Sequence, residues 1–148
     1  MFLSETEIDR IARGVIDRTL PKAEWTHAAH FAAALWVLRH GSPATMGDLI
    51  RRYNEATGTA NTDSSGYHDT ITQASLRGAQ RHLESLGADV PLHLIANALL
   101  ASPLGRSDWP LRYWSREVLF SVAARRGWVE PDLAPLPYPE VVRPGAPR

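Results

Sequence analysis

The chain has 148 residues, 44% apolar and 22% charged, with 16 Lys and Arg set against 16 Asp and Glu. That balance leaves no basic excess to neutralise a phosphate backbone, so nucleic acid is not an expected partner, and the length fits one domain. The absence of cysteine excludes disulfides, thiolate nucleophiles and Cys-ligated zinc.

The N-terminal MFLSETEID lacks a basic region followed by an apolar one, so a cytoplasmic protein is expected. Ser4 and Glu7 spell a capping box, with Leu3 and Ile8 placed to staple it. Ile8, Ile11, Val15 and Ile16 then repeat at helical spacing towards Leu20, and Pro21 stops the helix. A second helix is expected from Thr26 to His40, closed by Gly41 in a left-handed conformation. Its centre, Phe31 to Leu38, is apolar all round, as in an element surrounded by others, and is too short to span a membrane.

Ser42 and Pro43 open a third helix, in which Met46, Leu49, Ile50 and Tyr53 form a stripe until Gly58. Residues 58–66, GTANTDSSG, have no apolar period and many turn formers, which marks a long loop of the kind that carries function. A fourth helix is expected from Ser65 to Leu86. Pro91 opens a fifth striped by Leu92, Ile95 and Leu99, and Asp108 or Ser115 caps a sixth running to Arg126. From residue 131 the prolines forbid a helix. The expectation is therefore all-α: a single-domain bundle of about six helices over residues 1–130, with a proline-rich extended tail over 131–148.

His27 and His30 stand three apart and share a helix face that continues through Ala34 and Val37. In the fourth helix the seam Leu86, Leu83, Ala79, Leu76 runs back to Thr72 and Asp69, with His68 beside it. If the two helix starts meet, His27, His30, His68 and Asp69 converge. Imidazoles with a carboxylate suit a divalent metal (Zn, Fe, Ni or Mn), with His27, His30 and His68 as ligands. Asp69 and His68 are the candidate catalytic groups, the carboxylate serving as fourth ligand or general base. Tyr53, Asn54, Asn61, Thr62 and Tyr67 are candidate substrate contacts. The plainer reading makes the histidines helix-start hydrogen bonders, Asp69 a dipole-complementing residue and Asn61 and Thr62 turn holders. His40, His82 and His93 read as structural, and the five tryptophans as core filler.

Taken together, Trp25-Thr26-His27-Ala28-Ala29-His30, Tyr53-Asn54, Asn61-Thr62, Gly66-Tyr67-His68-Asp69-Thr70 and Trp128-Val129-Glu130-Pro131-Asp132-Leu133 resemble a family of small bacterial proteins of unassigned activity. The likeness spans Trp25 to Pro137. In that family a Glu often stands where this chain has Asp69, so the carboxylate is kept and its reach shortened. The resemblance implies an all-helical bacterial cytoplasmic protein and brings no activity, substrate or cofactor. Two functions are expected from the residues: a small enzyme holding a divalent metal between the starts of helices 2 and 4, or a non-catalytic helical module that binds a small ligand or a protein and whose polar cluster is structural.

Overall fold

The computed structural model describes residues 1–141 and is all-helical over them. Seven α-helices succeed one another among the described residues: α1 Glu5–Ile16, α2 His27–His40, α3 Met46–Ala56, α4 Asp69–Leu86, α5 Leu92–Ala101, α6 Arg116–Leu119 and α7 Val122–Arg126. No helix among them is long and apolar enough to cross a membrane.

Half of the capping box forms as expected, the Ser4 side chain accepting from Glu7 N, while the Glu7 carboxylate accepts from Leu3 N at 2.9 Å, one residue before the cap. The staple does not form. Leu3 is exposed, and Phe2 enters the core instead, its backbone bonded both ways to the Asn97 amide of α5. The helix also stops four residues short of Leu20. The backbone N–H groups of Thr19 and Leu20 both turn back onto Gly14 O, with Arg18 at φ 62° between them and the helix end. Leu20 lies so close over Gly14 that a Cβ there would stand 2.9 Å from the Leu20 Cβ.

The second helix begins where Thr26 caps it, the Thr26 hydroxyl accepting from Ala29 N. Ala29, Phe31 to Leu35 and Val37 are all buried as α2 packs against α1, α4 and α5, which accounts for its apolar circumference. Gly41 closes it at φ −126°, an ordinary extended conformation rather than the left-handed one expected. Before α3, residues Pro43–Thr45 make a single 3₁₀ turn. Met46, Ile50 and Tyr53 then bury the predicted stripe, and Gly58 is left-handed at φ 87°.

The fourth helix starts four residues later than expected, because His68 is its cap. Its buried face keeps the middle of the expected seam, Leu76 and Ala79 inside with Leu83 packed against the core, and departs from it at the ends: Thr70 and Ala74 are buried rather than Thr72, and Leu86 is exposed. The returning chain explains this. Thr70, fully buried, donates to Gly127 O at 2.7 Å and accepts from Val129 N at 3.2 Å, so residues 127–129 run across the start of α4.

The expected sixth helix is two. Ser115 caps α6 and Ser121 caps α7, each through its side chain, and a 3₁₀ turn Trp109–Arg112 precedes them. Asp108 makes no cap bond and instead holds Arg106 through two contacts. Beyond them Trp114 bonds Val129 O, Asp132 accepts from Ser115 N, and Leu133 N returns to Tyr113 O. Leu136, Tyr138 and Val141 lie against the core while Leu133 is exposed. The last seven positions of the expected tail fall outside the described residues.

Candidate functional site

Two helix openings carry the histidines. At α2, His27 and His30 share a face, yet each ring does something different. The His30 ring stacks on Trp25 with centroids 3.7 Å apart, and its Nδ1–H donates to Thr26 O at 2.8 Å. Trp25 leans in turn on Tyr53, whose hydroxyl is buried and donates to Leu20 O. His27 sits edge-on to Phe31 and donates from Nε2 to Leu104 O, tying α2 to the turn after α5. Burial, with some help from the charge of His27, holds the His30 imidazole below its ordinary pKa.

At α4 the histidine is itself the cap. His68 Nδ1 accepts from Ile71 N at 3.2 Å, which requires the proton on Nε2, and that N–H donates to Leu119 O at 2.6 Å. Both nitrogens are spent on backbone, so this imidazole has no lone pair left for a metal. Burial lowers its pKa, and nearby Arg125 adds to the effect.

The proposed ligand set is accordingly not assembled. His27 and His30 each keep one ring nitrogen, but His68 cannot join them. Among the described residues, no three His, Cys, Asp or Glu side chains gather where they could hold a metal ion. The histidines reach separate backbone carbonyls, those of Leu104, Thr26 and Leu119, rather than one another.

Asp69 faces elsewhere. The Tyr67 hydroxyl donates to its Oδ1 at 2.7 Å, and the Gln73 amide, one turn on, donates to Oδ2. These three side chains line a hollow of about 350 Å³ between α3 and α4. Arg51 forms another wall, its guanidinium 4.1 Å from the Tyr67 ring centre and within 3.7 Å of Asp48. Arg77, Thr72 and Glu140 complete the polar lining. Burial and then the bond to Asp69 drive the Tyr67 phenol far above its ordinary range, so it stays a donor at neutral pH.

The other candidate contacts hold the loop. Asn54 donates to Asn61 Oδ1, which also accepts from Tyr67 N, and Asn61 Nδ2 returns to Arg51 O. Thr62 exchanges hydrogen bonds with Ser64 and Ser65. Gly66 sits at φ 76°, with Ala60 O 2.5 Å from where a Cβ would stand, so no larger residue fits this turn. Tyr67 alone among these contacts reaches the hollow.

Sequence reasoning missed Arg51, Gln73 and Arg125. Gln73 follows Asp69 by four and was findable as a helical neighbour. Arg125 bonds Gly66 O and Tyr67 O from α7, a contact no spacing announces. Set beside models of known families, curated proteins and solved structures, the chain matches none.

Proposed function

We propose that this chain is a non-catalytic helical module, a single-domain bundle closed by its proline-rich segment, which binds a small polar ligand in the hollow at Asp69. One observation carries the reading: the Asp69 carboxylate lines an open hollow and is held in place there by one bond from Tyr67 and one from Gln73, which line it too. Fixed acceptors of this kind suit a ligand that donates hydrogen bonds. The same geometry argues against acid–base work there. Tyr67 is committed to its proton, and His68, the imidazole next in sequence, is locked into one tautomer by backbone on both sides.

The metal-dependent enzyme has less support, because one of its three imidazoles has no free nitrogen. The test is to titrate the full chain with methylamine, putrescine and glycine while recording amide NMR shifts. Shifts confined to the neighbourhood of Arg51, Tyr67, Asp69 and Gln73, and abolished in Asp69→Asn, support the module. Shifts that survive Asp69→Asn, or no saturable response to any probe, remove it.

A further inference from the structure

Two residues before Glu140, the chain contributes Tyr138 to a second cleft of different chemistry. Its walls are Pro103, Leu104, Trp109, Leu111, Tyr113 and Tyr138, and it encloses about 320 Å³. Leu104, Trp109 and Tyr113 are buried core residues, so the walls are rigid rather than swinging surface side chains. Two of the wall residues pack over α4 at Gly78, where a Cβ would stand 2.8 Å from Leu104 and 3.7 Å from Tyr138. The volume lies at the lower end of the roughly 300–1,000 Å³ typical of small-molecule sites, which are apolar and aromatic with a few placed polar groups.

The polar groups at this cleft are unequal. Arg106 is neutralised by Asp108, which it meets through two contacts at 3.0 and 3.2 Å. Arg112 has no carboxylate partner among the described residues; its guanidinium stands 6.0 Å from the Tyr113 ring centre. Burial pushes the Tyr138 phenol up, and Tyr113 adds to this while Arg112 opposes it, so Tyr138 keeps its O–H on the same lining as Arg112. The lining thus holds two arginines and one carboxylate, an excess of one positive charge among the described residues, beside aromatic walls.

We infer that this cleft binds a small flat aromatic anion, its ring between Trp109, Leu111 and Tyr138 and its anionic group on Arg112. The flat walls select the ring, and Arg112 selects the charge, because a guanidinium recognises a carboxylate through paired hydrogen bonds. The site is separate from the Asp69 hollow, with which it shares no lining residue, and takes a ligand of different chemistry.

The experiment is calorimetric titration of the full chain with 2-naphthoate, and with its methyl ester as the uncharged counterpart. The acid is expected to bind saturably and the ester about tenfold more weakly, as the loss of one charge-assisted contact implies. Arg112→Gln brings the acid down to the ester's level, Arg112→Lys restores part of the difference, and Asp69→Asn changes neither. Arg112 is exposed, so these variants keep the fold. Equal binding of acid and ester, an Arg112→Gln variant that binds like the parent, or no saturable binding of the acid would each overturn the assignment.

Discussion

The openings of α2 and α4 look alike in sequence and differ in construction. At α2 a threonine caps the helix and the two histidines are side supports, one stacked on Trp25 and the other reaching Leu104 O. At α4 the imidazole is the cap and at the same time the tie to α6. The first arrangement divides its tasks among several groups. The second places two on one buried ring, so its loss leaves a donor and an acceptor unpaired at once. A histidine at a helix start is therefore informative only once both of its nitrogens are traced.

The largest expected effect follows directly. His68→Ala orphans Ile71 N and Leu119 O and should cost about 3 kcal/mol in urea unfolding, against about 1 kcal/mol for His27→Ala. Equal costs would break the contrast. Thr70→Val, which keeps the shape and removes the hydroxyl that serves Gly127 O and Val129 N, should cost about 2 kcal/mol by the same measurement.

The pH response sharpens the comparison further. Both His68 and His30 have folded-state pKa values below the ordinary 6.5, so the unfolded chain takes up protons first. Their contribution is complete above about pH 6.5 and is lost as pH falls from there towards the lowered folded values. Melting temperature should accordingly drop on acidification, and His68→Asn, a capping residue that does not titrate, should flatten the drop. A parent profile that is level from pH 7 to about 5 contradicts the burial of both rings. The smallest effect is expected at the exposed Arg126–Asp63 pair: Asp63→Ala should change stability by under about 0.5 kcal/mol.

Local chemistry was legible from residues alone. Ser4 and Ser115 cap the helices they precede, as expected, because a side-chain oxygen beside unpaired N–H groups needs no tertiary partner to act. The stripe of α5 was equally plain. The break between α6 and α7 was signalled only by Ser121, a second cap former inside what read as one helix. Two failures have a tertiary cause. Thr70 rather than Thr72 faces inward because residues 127–129 return across α4, and no periodicity within α4 records a distant strand of chain. The histidines do not converge because the meeting of helix ends depends on crossing geometry, which heptad-like spacing leaves open.

The grip of α7 on the loop before α4 has a dynamic consequence. Arg125 holds Gly66 O and Tyr67 O, Thr70 holds residues 127–129, and His68 holds Leu119. These bonds tie the two segments to each other, so the protected amides of residues 67–71 and 116–129 should exchange with deuterium at a common rate, as one cooperative unit drawn from two stretches far apart in the chain.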